Sequence, residues 1–189
     1  MGLFDSPQKK WIKQHASDPW NKMFTGLGQY DVMIAKLMVF ESVSFADHIL
    51  TSGLFSGENL AIRAETILLA KMQFYHLVTK SATVHNLFYG YIHELWLNHY
   101  RTDIETANLV LERMHHLEKW YLTWYYDFYS NSSGNFAPVI KEYCKNAKKI
   151  KDLDGNSILL CAPEDLQQHA AKLLMDMQIT FMTKMKQHS

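Results

Sequence analysis

The chain has 189 residues, 48% apolar and 20% charged, with 19 basic and 19 acidic side chains and a formal net charge of zero. That length fits one domain with or without a small appendage, and the composition excludes a disordered chain while supplying a sizeable core. The even charge argues against duplex nucleic acid as the main partner, since gripping a phosphate backbone takes a basic excess.

The first 28 residues read as a helical arm ahead of the main domain. Ser6-Pro7 and Asp18-Pro19 put proline at first helical positions, where its missing N–H costs nothing, and Gly26-Leu27-Gly28 ends the arm. Gly2 and Ser6 fit a myristoylation pattern, with Lys9, Lys10 and Lys13 as an electrostatic second signal. Pro7 stands against such a modification, so peripheral membrane contact is only a minor expectation. The arm has no basic region followed by an apolar run, and no uncharged stretch of the chain is long enough to span a bilayer.

Residues 29–189 read as a single helical-bundle domain. Gln29 to Leu54 carries Tyr30, Ile34, Leu37, Met38, Val43, Phe45 and Ile49, too many directions for one stripe. A helix buried over much of its circumference is expected, kinked near Ser42-Val43-Ser44. A third segment runs from Glu58 through Leu60, Ile62, Ile67, Leu68 and Met72 to Tyr100, with a bend at Ser81-Ala82-Thr83.

The most legible helix spans Thr102 to about Tyr129. Thr102 and Glu105 have the spacing of a reciprocal capping box. Behind it, Ala107, Val110, Met114, Leu117, Tyr121, Trp124 and Phe128 alternate by three and four, one stripe on a helix of about 40 Å. Asn131 to Asn135 is a loop by composition. Pro138 then starts a shorter helix with Val139, Ile140, Tyr143, Ala147 and Ile150 on one face. Asp154-Gly155 is a tight-turn signal that allows a minor β-ribbon near residues 150–160. Pro163, Glu164 and Asp165 open the last helix, whose expected buried face is Leu166, Ala170, Leu173, Met177, Phe181 and Met185. The fold class is therefore all-α: a mostly antiparallel bundle of four to five long helices.

Catalytic signatures are weak throughout. A dinuclear carboxylate centre needs two Glu-x-x-His pairs, and the chain offers one, Glu112 with His115, on the flank of the stripe. Ser56 lacks the glycine spacing of a nucleophile elbow, and Gly26-x-Gly28 lacks the third glycine of a dinucleotide fingerprint. Asp152-x-Asp154-x-Asn156 begins like a calcium loop, but Ser157 and Pro163 occupy the positions that need glycine and glutamate. Cys144 and Cys161 make no disulfide framework and read as free thiols of a cytoplasmic protein. No catalytic residue and no cofactor is assigned.

Two non-enzymatic features stand out. Trp120, Tyr121, Trp124, Tyr125, Tyr126, Phe128 and Tyr129 surround the end of one helix, more rings than one seam can use. Lys141, Lys145 and Lys148 share a face of the next. The reading is a protein–protein interaction module, an adaptor or accessory subunit. Its contacts are Trp120, Trp124, Tyr125, Tyr126 and Tyr129, with the lysines guiding a protein partner or a second copy. The alternative is a helical enzyme or sensor with a metal or small ligand at Glu112 and His115.

Overall fold

A computed structural model of the chain describes residues 29–52, 60–78, 81–131, 140–141, 143–144 and 164–188; for residues 29, 75–78, 120–131, 164–166 and 187–188 it describes the backbone alone. The fold is an all-α bundle. Its helices are α1 (Gln29–Thr51), α2 (Leu60–Val78), α3 (Ala82–Glu94), α4 (Ile104–Asn131) and α5 (Glu164–His188), with no strand among the described residues. The arm at 1–28, the ribbon near 150–160 and most of the lysine helix lie outside those residues. No described helix is long and apolar enough to cross a membrane.

Helix α2 lies at the centre, packed against α1, α4 and α5, while α3 bridges α1 and α4. Every residue of α2 from Ala61 to Phe74 is buried, including Arg63, Glu65, Thr66, Lys71 and Gln73. Helix α1 is continuous over its whole span and buries Ile34, Ala35, Met38, Val39, Ser42, Val43, Ala46 and Ile49. It is thus enclosed on several sides, as the dense apolar series implied, whereas Tyr30 is exposed. At the far side of α2, Phe74 meets Phe181 of α5 with ring centroids 4.2 Å apart.

The bend expected at Ser81 is a helix boundary. Ser81 adopts an extended conformation and its hydroxyl accepts from Val84 N–H at 3.2 Å, so it caps α3 and starts a new helix. The same hydroxyl donates to Asp31 of α1 at 3.4 Å. Helix α3 then widens into a π-turn over Leu95–His99, with Tyr100 N–H bonded to Leu95 C=O at 3.2 Å.

The start of α4 corrects the capping box. Asp103, not Thr102, is the cap: its carboxylate accepts from Thr106 N–H at 2.8 Å and from the Thr106 hydroxyl at 2.9 Å. Those bonds hold the Asp103 carboxyl below its ordinary pKa. Thr102 is engaged elsewhere, its N–H and hydroxyl both donating to Trp96 C=O at 3.1 and 2.9 Å. Between them Arg101 takes φ 53°, the left-handed conformation that ends helices and suits glycine best. The turn needs Thr102 to close the π-turn, and the aspartate next to it is the residue left to begin α4.

On α4, Ala107, Val110 and Met114 are buried and Leu117 packs against the core. The remaining seam positions, Tyr121, Trp124 and Phe128, lie where only the backbone is described. In the segment that follows α4, Ile140 and Tyr143 are buried as expected, and Cys144 is buried and outside any disulfide. Thr66 donates to Ile62 C=O at 2.7 Å, so the Tyr143 hydroxyl donates to Thr66, at 2.5 Å, and anchors this segment to α2.

Candidate functional site

Helix α2 carries buried charged and polar groups, and perturbed charge inside a fold is where functional sites concentrate. Lys71 is 0% exposed. Its ammonium donates to Glu118 Oε1 of α4 and lies 4.1 Å from the Tyr89 ring centroid and 5.2 Å from that of Phe88. The Tyr89 hydroxyl donates to Glu118 Oε2 at 2.6 Å, so both carboxylate oxygens are engaged. Burial pulls Lys71 below the ordinary lysine pKa against the attraction of Glu118. Burial alone would raise Glu118, but the Lys71 charge and the two hydrogen bonds outweigh it and leave the carboxyl below its usual value. Burial, followed by Glu118, raises Tyr89. His85 of α3 faces the same pair; burial first and Lys71 second push its pKa down to about 4, with Glu118 opposing.

The arrangement is a clamp. Two faces of aromatic ring hold the cation, and the carboxylate bridges α4 to α2 and α3. An amine sealed from solvent reaches no solute, so Lys71 holds helices together rather than acting as a nucleophile. Arg63 plays a similar part at the other end of α2. Its guanidinium donates to Asp47 of α1 at 2.5 Å and to the Tyr100 hydroxyl at 2.8 Å, and joins α1, α2 and the end of the π-turn. On α5, Lys184 pairs with Glu41 of α1 and lies 5.0 Å from the Phe40 ring centroid. Near this pair, Glu41, Phe45, His48, Leu173, Asp176 and Met177 are among the residues lining an open cleft of about 150 Å³.

The sequence-derived site residues separate into three groups. Glu112 and His115 are exposed, and the His115 ring rests 3.9 Å from that of Tyr89. Among the described residues no three His, Cys, Asp or Glu side chains are grouped to hold a metal ion. Burial lowers the His115 pKa, Glu118 opposing and Lys71 and Lys119 assisting. Lys141 is exposed. The side chains of Trp120, Trp124, Tyr125, Tyr126 and Tyr129, and all of Lys145 and Lys148, lie outside the described residues.

The outward side of α5 carries a feature that sequence reasoning passed over. Its inner face buries Ala170, Leu174, Met177 and Phe181 and half-buries Leu173 and Met185. A second row, Gln168, Lys172, Met175, Ile179, Met182 and Lys186, is exposed at every position but belongs to the same helix. Its steps of four and three residues are those of a coiled-coil seam. Met175, Ile179 and Met182, at 41%, 55% and 38% exposure, form its apolar centre. The signal was in the sequence, since the 4-3-4-3-4 spacing is visible there. It was masked because one apolar face already sufficed to explain the helix.

No protein-family model, no curated protein and no solved structure matches this chain.

Proposed function

We propose that this chain is a non-enzymatic interaction module, an adaptor or accessory subunit whose bundle presents helix faces to a protein partner. The observation that carries the reading is the outer row of α5. Isolated apolar side chains on a surface are ordinary, but three in seam register on a helix already anchored by its opposite face are what a helix-pairing site requires. The interior charges point the same way. Lys71 and Arg63, two buried cations among the described residues, are occupied in joining helices and serve a rigid scaffold.

The aromatic end of α4 and the lysines that follow it belong to the same proposal on sequence grounds. Trp120, Trp124, Tyr125, Tyr126 and Tyr129 supply ring area, and Lys141, Lys145 and Lys148 supply attraction to an acidic partner.

The test is purification of the full chain from the cells that make it, followed by the same purification of Ile179→Glu and Tyr126→Ala. A stoichiometric partner that is lost with either substitution, at an unchanged Tm, supports the module. Partner loss that only tracks a lowered Tm places the residue in the core and contradicts it. Stoichiometric iron, zinc or manganese that survives dialysis would favour the metal-binding alternative instead.

A further inference from the structure

We propose that the cleft between α1 and α5 is a binding site for an alkylammonium group, with a short carbon stem on its apolar lining and the charge met by Asp176 and Glu41. The site is independent of the interaction-module reading: it is a cavity for a small group, not a helix face for a partner.

The cleft is built from one face of each helix. On α1, Glu41 to His48 contributes the positions i, i+3, i+4 and i+7, and on α5, Leu173 to Thr180 contributes the same spacing. Phe45 and Met177 are buried and Leu173 half-buried, and these three supply the apolar lining. His48, Asp176 and Thr180 are exposed, so polar groups stand at the mouth. The volume of about 150 Å³ is room for a group of about five or six heavy atoms. An apolar lining with a few polar groups is the usual composition of a small-ligand site.

Charge decides what fits. The lining holds two carboxylates, Glu41 and Asp176, and no lysine or arginine. The Glu41 side chain is only 9% exposed, and Lys184 donates to its Oε1. Among the described residues Oε2 has no hydrogen-bond donor, so a carboxylate nine-tenths buried keeps one acceptor open in the cleft wall. Asp176 likewise pairs with no described residue, although Lys172 stands one turn before it on α5. His48 Nδ1 lies 2.6 Å from Ser44 C=O, which can only accept, so that nitrogen carries the hydrogen and the neutral ring keeps an acceptor at Nε2. Two carboxylates against one lysine leave a surplus of one negative charge, and the open groups are acceptors. A donor with a single positive charge answers both, through the stronger, charge-assisted kind of hydrogen bond.

Other occupants fit less well. An anion meets two carboxylates of its own sign. A divalent metal finds one oxygen of Glu41 already taken by Lys184, and among the described residues no three His, Cys, Asp or Glu side chains are grouped to hold a metal ion. A neutral apolar molecule would cover the lining but strip water from Glu41 without giving it a donor. A guanidinium spends four heavy atoms on its planar head and leaves little of the cleft for a stem. A primary ammonium brings three N–H donors on a narrow tip, enough for Asp176, Glu41 Oε2 and one further acceptor. Met177 adapts its shape to the stem beside it. Free alkylamines and lysine side chains share this chemistry.

The experiment titrates the full chain, labelled at its methionine methyls, with n-butylammonium, n-butanol and butyrate at equal ionic strength, and reads the Met177 methyl by NMR. Butylammonium should give a saturable shift with a Kd on the order of 1 mM, as suits so small a ligand. Butanol should bind at least about fivefold more weakly and butyrate not at all. Asp176→Asn, at an exposed position, should leave Tm unchanged and weaken butylammonium at least about fivefold while leaving butanol as it was. Nα-acetyl-lysine amide separates the two sources of the ammonium. Affinity equal to that of butylammonium assigns the site to a lysine side chain of another protein, and clearly weaker binding assigns it to a free amine. Equal binding of butylammonium and butanol, or a preference for the amine that survives Asp176→Asn, would overturn the proposal. So would the absence of a saturable shift below ~50 mM, or displacement of butylammonium by micromolar zinc or manganese.

Discussion

Helices α2 and α5 resolve opposite problems. On α2 every side chain from Ala61 to Phe74 is inside, and two of its charged groups meet residues of other helices: Lys71 meets Glu118 and the Tyr89 ring, and Arg63 meets Asp47 and Tyr100. On α5 one face is inside and a second apolar row is outside, where Met175, Ile179 and Met182 meet solvent. The central helix buries charge and answers it internally. The peripheral helix exposes apolar surface outside the core that the described residues build. Charges fixed inside a bundle speak for rigidity, and apolar groups left outside in seam register speak for a partner.

The largest effect should come from breaking the clamp on the α2 side. Lys71→Ala leaves Glu118 without its counter-charge inside the bundle and should cost about 3–5 kcal/mol, read by urea unfolding. The double change Lys71→Met with Glu118→Leu should recover most of that loss, because two apolar side chains ask for no partner. A single change as mild as the double one would mean the pair is wetter than its burial implies.

Acid should find the same region next. The folded pKa of His85 is depressed to about 4, so the unfolded chain takes up the proton first, near the ordinary histidine value of 6.5. The sign follows: His85 contributes fully above about pH 6.5, and that stability declines as pH falls toward 4. The gap of about 2.5 units (6.5 minus 4), discounted for partial exposure, is on the order of 1–2 kcal/mol. Chemical melts of His85→Asn should be flatter than those of the native chain across that window. An identical pH profile would show that other groups govern acid stability.

The cap offers a smaller contrast. Asp103→Ala should lower Tm by about 2–5 °C, since Thr106 loses both bonds to the cap. Glu105→Ala should do almost nothing, because the reciprocal box that would have used it is absent. Equal shifts would restore the capping box. The smallest stability effect belongs to α5: Ile179→Glu should stay within about 0.5 kcal/mol of the native chain, as exposed substitutions do. A loss of several kcal/mol there would make the outer row part of the fold.

Much of this fold could be read in the sequence, and the failures share a cause. The α4 seam was legible because Ala107, Val110 and Met114 alternate against polar neighbours, so burial and periodicity agree. On α2 they do not agree. Lys71 and Arg63 are buried through contacts to residues 47 and 37 positions away in sequence, and no local pattern announces a partner at that distance. The cap was misplaced by one residue because Thr102 and Asp103 are both good caps and only the π-turn decides between them. The break at Ser81 looked like a bend because a serine cap inside an apolar series resembles a tolerated polar residue. The outer row of α5 was overlooked for the opposite reason: its spacing was visible, but only the burial of the other face shows that it is surplus.

On the proposed reading, the outer row of α5 is accessible in the free chain and covered by a protein partner. Thiol-labelling kinetics test it most directly, on a background carrying Cys144→Ala and Cys161→Ala. Ile179→Cys should label near the rate of a free thiol and be protected by the partner that co-purifies with the chain, while Leu174→Cys, on the buried face, should label slowly with or without it. Slow labelling of Ile179→Cys in the free chain, or labelling that the partner leaves unchanged, would contradict a docking face on α5.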